Sequence, residues 1–356
     1  MTSRNEEQDD DTHIEDNLID TSSKEEVENA DIKKQGRPWT LSIALPASIM
    51  LNAQSPELRT YLGGQIARAA AVFNVDEIVV YDEYALSVGN DGDVAFDERK
   101  KCVQHLTKIL EYLECPQYLR KYLFPIQKDL EYAGLLNPLD CIHHLKSHEL
   151  SLPYREGIVL NKPIKDKANN GSFIYVGIDN EVQINNILKP NVRVTVKFDP
   201  SILTGNDDAT EGSATKRRRV KKLKGIAVSP HEPRTNMGLY WGYTVRSAGS
   251  LSKVFGECSF KGGYDLLIGT SEKGDNIDDV IEELPASFNH ALVVFGGLKG
   301  IEAALDSDEK LSQIDNPKDL FQFYLNTCPK QGSNTIRTEE ALLITLSALR
   351  HKLFTK

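Results

Sequence analysis

The chain has 356 residues, 40% of them hydrophobic and 26% charged, the composition of an ordinary globular protein and long enough for two modest domains. No apolar run approaches the roughly 18 residues that a membrane-spanning helix needs, and the acidic start lacks the basic-then-apolar order of a secretory leader, so the sequence reads as that of an intracellular protein. The net charge of −10 would argue against a nucleic-acid partner if it were evenly spread, but residues 1–36 hold twelve acids against four bases, which leaves the remainder near neutral at about −2.

Taken in chain order, residues 1–36 are too polar to offset the entropy of ordering and are predicted to be a disordered acidic tail. WTLSIAL at 39–45 predicts a buried strand. Ser55 as N-cap, Pro56 at the first helical position and Glu57 in the first turn predict a helix, with Leu58, Tyr61, Leu62, Ile66, Ala69, Ala70 and Phe73 on one apolar stripe. DEIVVYDE at 76–83 supplies a second strand, giving a β-α-β unit and therefore a parallel sheet. Residues 97–124 read as helices.

From Leu150 the period changes. REGIVL, GSFIYVGI, NEVQI, VRVTVKF and GIAVS are short strand-like runs separated by turn clusters such as KANNG and TGNDD, and they predict a small OB-like β-barrel over 150–233. A loop at 200–215 leads into KRRRVKKLK, where seven of nine residues are basic. After Pro233 the α/β texture returns: GLYWGYTVR at 238–246 is predicted as a strand, SLSKVFGE as a helix, YDLLIGTSEKG and NHALVVF as strands, and TEEALLITLSALRHKL as the last helix. The organisation predicted is an α/β domain of residues 37–149 and 234–356, interrupted by a β domain at 150–233.

The five cysteines, Cys102, Cys115, Cys141, Cys258 and Cys328, are scattered and show no zinc spacing. Cys141 with His143 and His144 is the nearest approach to a ligand set, but it lacks a second half, and no metal is expected.

Three strand-to-loop junctions combine small and polar residues: GTSEKG at 269–274, FGGLKG at 295–300 and CPKQGSNTIRT at 328–338. Ligands of open α/β sheets sit beyond the carboxyl ends of the strands, so these three loops could build one pocket. No loop carries GxxxxGK followed by Ser or Thr, GxGxxG or GxSxG, which disfavours nucleotide hydrolysis, dinucleotide redox chemistry and serine hydrolysis.

FGGLKG after a hydrophobic strand, followed by a Cys-Pro-containing QGSNTIRTEEAL segment that opens the last helix, resembles the cofactor-binding motifs of SPOUT methyltransferases. With GTSEKG and LRTYLGGQIARAAAVFNVDEIVVYDE, the pattern is similar to the eukaryotic and archaeal branch that carries an inserted OB-like domain, from about residue 38 to the end. The resemblance implies an α/β knot, in which the carboxyl-terminal segment threads a loop as a trefoil, a dimer with an identical chain or a paralogue, and S-adenosylmethionine as methyl donor. It implies Thr270, Gly296, Gly297 and Gly300 on two sides of the cofactor cleft, and Asn326, Cys328, Gln331, Gly332, Ser333 and Thr335 on the third. Arg68 falls where related ribose methyltransferases place a catalytic arginine, whose fixed donors hold a phosphate or a developing anion. The sequence departs from the ribose-methylating pattern, since the first motif lacks an asparagine and the last reads Ser333, Asn334, Thr335, so a base nitrogen such as uridine N3 and the ribose oxygen both stay open.

The run Lys216, Arg217, Arg218, Arg219, Lys221, Lys222 and Lys224 fits an RNA backbone, a nuclear import signal or both. Tyr154, Phe173, Tyr175 and Phe198 could stack bases, alternation placing about half of them in the core. Arg246 and Arg337 are candidates for the donor's carboxylate or an RNA phosphate. Glu339 and Glu340 could take a proton, but behind Thr338 as N-cap they fit the helix start. The function expected is methyl transfer to ribosomal or pre-ribosomal RNA in the nucleus, at the nucleolus; the alternative is an RNA-docking assembly factor with little turnover.

Overall fold

In chain order the strands are β1 (Thr40–Pro46), β2 (Glu77–Tyr81), β3 (Tyr154–Val159), β4 (Ser172–Tyr175), β5 (Val182–Ile184), β6 (Arg193–Lys197), β7 (Leu223–Val228), β8 (Thr244–Ala248), β9 (Leu266–Asn276), β10 (His290–Val294) and β11 (Phe323–Asn326). The α-helices are α1 (Pro56–Val72), α2 (Gly92–Glu114), α3 (Gln117–Leu123), α4 (Glu232–Met237), α5 (Leu251–Gly256), α6 (Ile277–Val280), α7 (Gly300–Asp306) and α8 (Thr338–Phe354). The computed structural model describes residues 36–84, 92–162, 171–198 and 223–354. The acidic tail before residue 36, the 200–215 loop and Lys216 to Lys222 of the basic run lie outside the described residues.

Six strands form one sheet in the order β11-β9-β10-β1-β2-β8, each pair parallel. The alternation of side chains along each strand divides the core in two. Ile43, Ile78, Val80, Ala291 and Val293 face one cluster with Ile66 of α1, Leu106 of α2 and Leu346 of α8. Ala44, Val79, Tyr81, Leu292 and Val294 face the other, with Leu251 and Val254 of α5 and Ile301 and Leu305 of α7. Covered on both faces, the central strands β1, β2 and β10 read as mostly apolar runs. Between β2 and β8 the chain inserts a closed barrel of β3-β4-β5-β7-β6, with its own core around Ile174, Val182, Ile184 and Val196. Among the described residues, no helix is long and apolar enough to cross a membrane.

Helix α1 begins as its sequence predicts, the Ser55 hydroxyl accepting the Leu58 amide. Its apolar stripe differs from the prediction: Leu58 is 53% and Tyr61 44% exposed, while Thr60, Gly63, Gly64 and Ala67 are buried. The reason is a second packed face, since a Cβ on Gly63 would sit 2.9 Å from Ile109 of α2. The strand expected over 238–246 starts only at Thr244. Gly238 closes α4 at φ 65° and Gly242 turns at φ 84°, so Leu239, Tyr240 and Trp241 are buried on a loop.

The barrel joins the sheet domain through an ionic hub. Arg193 of β6 bonds the Glu114 carboxylate of α2 through both terminal nitrogens, at 2.5 and 2.9 Å, and Glu156 of β3 at 2.6 Å through Nε. Thr195 and the Trp241 indole also donate to Glu156, at 2.6 and 2.7 Å. Burial alone would raise the Glu114 pKa, but Arg193 and His143 hold it well below the usual carboxylate range.

Candidate functional site

The three glycine-bearing segments meet at the carboxyl edge of β9, β10 and β11 around a cleft of about 550 Å³, within the range of small-molecule sites. The first arises from a break in the β9–β11 ladder: Tyr324 pairs with Gly269, but Leu325 pairs with Asp275, so residues 270–274 have no partner on β11 and residues 270–273 reach the cleft. The Thr270 hydroxyl donates to the Val294 carbonyl at 3.0 Å and ties this segment to β10.

The second segment turns sharply after Phe295. The Gly300 amide donates to the Gly297 carbonyl at 3.0 Å, with Gly300 at φ 76°, a conformation open to glycine. A Cβ on Gly296 would lie 2.5 Å from the Gly300 carbonyl carbon, so the two ends of the loop touch through bare main chain.

The third segment is held by side-chain bonds to the others. Asn326 donates to the Glu272 carbonyl at 3.0 Å and accepts the Cys328 amide at 3.1 Å. Gln331 bonds the Ser333 carbonyl, and the Ser333 hydroxyl bonds the Thr335 carbonyl. Lys330 takes the left-handed conformation at φ 58°. Thr338 was expected to cap α8; its hydroxyl instead donates to the Gly296 carbonyl at 3.0 Å, and Glu340 receives the Arg337 amide at the helix start.

Of the residues assigned to the cofactor from sequence, Thr270, Gly296, Gly297, Gly300, Asn326, Cys328, Gln331 and Thr335 line this cleft. Gly332 and Ser333 do not; both are exposed beyond the lining residues. Arg337 lines it too, with an exposed side chain. Arg68 is not among the lining residues. Its guanidinium, half-buried on α1, donates to the Leu139 carbonyl at 2.6 Å and the Pro138 carbonyl at 3.4 Å. Arg246 is also elsewhere, because the parallel pairing of β8 with β2 sets it beside Glu77, where it bonds that carboxylate and the Val254 carbonyl. Lys224 is exposed on β7. Tyr154 and Phe198 are buried, and Tyr175 packs against Tyr118 and Tyr122.

Sequence reasoning passed over several lining residues. Asn52, in the 3-10 turn after β1, reaches the cleft, and Phe295, Leu325, Ile336 and Ile344 provide apolar walls. The charged residues Glu272, Lys273, Lys299 and Glu302 line it as well. Lys273 and Glu302 form an ion pair at 3.0 Å across two segments, and the carboxylate raises the pKa of the lysine. Behind Gly297 lies Glu83, whose pKa burial raises against the lowering effect of Ser48, its hydroxyl donor.

The ligand atoms of Cys141, His143 and His144 lie within 4.8 Å of one another. Both imidazoles bond the Glu114 carbonyl through Nε2, at 2.9 and 2.7 Å. Burial pushes the Cys141 thiol up to about 12 and, with His143 adding to it, His144 down to about 4. These groups serve the seam between α2 and the barrel.

Residues 40–349 match the model of a family described as "Putative RNA methyltransferase". Over 319 residues the chain is 53% identical to the 28S rRNA (uridine-N(3))-methyltransferase of Mus musculus, covering 89% of this chain and 77% of that protein. The Homo sapiens protein of the same name is 51% identical over 330 residues, covering 92% and 82%. That of Drosophila melanogaster is 46% identical over 332 residues, covering 90% and 64%.

Proposed function

The chain belongs to this RNA methyltransferase family, and on that premise we propose that it is an S-adenosylmethionine-dependent enzyme that methylates N3 of a uridine in large-subunit ribosomal RNA. The observation that carries the reading is the convergence of three distant segments, 270–274, 295–300 and 326–338, on one cleft at the carboxyl edge of a parallel sheet. Between the two acceptors that the sequence leaves open, the names of the relatives favour the base nitrogen over the ribose oxygen.

The cleft fits a folded nucleoside donor. Phe295, Leu325, Ile336 and Ile344 offer apolar surface, and the Gly296–Gly297 main chain is bare. When bound, the donor supplies a methyl group on a sulfonium. What the protein adds is alignment of the acceptor base with that methyl. Arg68 enters this proposal as a brace of the 138–139 main chain, not as a group on the reacting atoms.

Three further features belong to the proposal. The carboxyl-terminal segment is threaded as a trefoil, a reading supported by the bond between Thr338 and Gly296 and by α8 lying in the same core as α1. The enzyme is a dimer with a second copy or a paralogue, supported by the exposed Leu58 and Tyr61 of α1 and Leu343 of α8. It works in the nucleolus, where ribosomal RNA is made, with the basic run from Lys216 to Lys224 on the RNA backbone.

The test is transfer of a labelled methyl group from S-adenosylmethionine to large-subunit ribosomal RNA, with nucleoside analysis of the product. N3-methyluridine is expected. A 2′-O-methyl product, or RNA binding without transfer, contradicts the proposal, the latter in favour of the assembly-factor alternative.

A further inference from the structure

The proposed reaction leaves one group unassigned, the acceptor of the uridine N3 proton, and any assignment of it rests on that reaction. N3 of uracil bears a hydrogen between two carbonyl groups, so a methyl can bond there only once the proton has left. The ionisable side chains lining the cleft, among the described residues, are the carboxylates Glu272 and Glu302, the cations Lys273, Lys299 and Arg337, and the Cys328 thiol; none is a histidine. Glu339 is not a lining residue, and Glu340 receives the Arg337 amide.

We propose that Glu302 takes the N3 proton while Lys273 holds the adjacent uracil carbonyl oxygen, so that this pair selects uracil and makes the base the methyl acceptor. The two side chains come from different segments, Lys273 from the displaced stretch of β9 and Glu302 from the first turn of α7, and they meet at 3.0 Å over the cleft. A carboxylate beside an ammonium is complementary to the N3–H and carbonyl of a uracil edge. Cytosine has no hydrogen on N3 and would place a lone pair against Glu302. Glu302 is the better placed of the two carboxylates: its side chain is 29% exposed and packs on the bare α-carbon of Gly300, whereas Glu272 is exposed.

In the first step the N3–H bond breaks and the proton passes to a Glu302 oxygen, leaving a uracil anion with its charge shared by the flanking oxygens. Protonated Glu302 no longer pairs with Lys273, which turns its charge to the uracil oxygen. The N3 electron pair then bonds the methyl carbon as the carbon–sulfur bond breaks, its electrons going to sulfur and neutralising the sulfonium. The methyl enters along the line the proton left, so the protonated Glu302 side chain swings off that line before the carbon bonds N3, and the two events are sequential. The groups that face Glu302 are Lys273 of β9 and Tyr324 of β11; Glu272, Lys299 and Arg337 share the cleft.

Glu302→Gln keeps the size of the side chain and removes the acceptor. It is expected to slow transfer about 100-fold near neutral pH with donor and RNA affinities within about twofold, and to recover as the pH rises to where uridine N3 ionises unaided. A readout without turnover uses an oligonucleotide nitrogen-labelled at the target uridine, bound with S-adenosylhomocysteine. The N3 ionisation midpoint should be lower on the wild-type protein than in free RNA and should return toward the free value with Lys273→Met. A wild-type rate and pH profile for Glu302→Gln, a loss that alkali does not recover, or a loss confined to Glu272→Gln overturns the assignment while N3-methyluridine formation stands. A wild-type product methylated on the ribose overturns the proposed function and this assignment together.

Discussion

The hydroxyl of Thr338 donates to the carbonyl of Gly296 at 3.0 Å, joining the first turn of the last helix to a loop 42 residues earlier in the chain. This single bond fixes how the third segment closes on the second. Thr338→Val keeps the shape of the side chain and leaves the carbonyl without its donor, so donor affinity should fall about fivefold to tenfold, the worth of about 1 kcal/mol. Calorimetric titration and thermal melting together check this, since the melting temperature should move little.

Arg193 bridges Glu114 and Glu156, which are almost wholly buried. Arg193→Met leaves two carboxylates in a seam that no longer balances them, and a loss of about 3 kcal/mol is expected in urea unfolding. If the variant unfolds at the wild-type midpoint, the hub does not hold the barrel to the sheet.

Much of this architecture is legible in the sequence, and the failures have physical causes. Strands β1, β2 and β10 stand out because burial on both faces leaves them mostly apolar, with Thr40, Ser42 and Glu77 as buried exceptions. The helix start at Ser55 is legible because capping is local chemistry. The strand expected over 238–243 fails because φ at Gly238 and Gly242 is positive and composition does not report φ. Leu58 and Tyr61 mislead because a helix packed on two sides has no single stripe, and an exposed apolar residue looks the same in sequence as a buried one. In the cleft, the glycine loops mark the site, whereas the charged residues Glu272, Lys273 and Glu302 resemble solvated surface in sequence until the fold brings them to the rim of one cleft, the first two through the ladder break in β9.

Stability should fall on mild acidification. His144 is held neutral, with its pKa lowered from 6.5 to about 4, chiefly by burial. Between those values the unfolded chain binds a proton that the folded one does not, so the contribution is complete above pH 6.5, is lost as the pH falls toward about 4, and changes no further below. Melting temperature measured from pH 7 to pH 4.5 should drop, and His144→Gln should flatten the slope. A flat wild-type profile contradicts the assignment.

Arg68 braces the main chain at Pro138 and Leu139. Arg68→Ala removes charged donors from two carbonyl oxygens, and a destabilisation of about 1–3 kcal/mol is expected, with donor affinity intact. Unchanged stability together with abolished transfer would return Arg68 to the reacting atoms.

The most direct test of the cleft is calorimetric titration of the full chain with S-adenosylmethionine, comparing wild type with Gly296→Val. A side chain at 296 meets the Gly300 carbonyl carbon, so saturable one-to-one binding by wild type and at least about tenfold weaker binding by the variant are predicted, with the fold intact by circular dichroism. No heat at millimolar donor with wild type, or equal affinities for the two proteins, contradicts a donor site between these three segments.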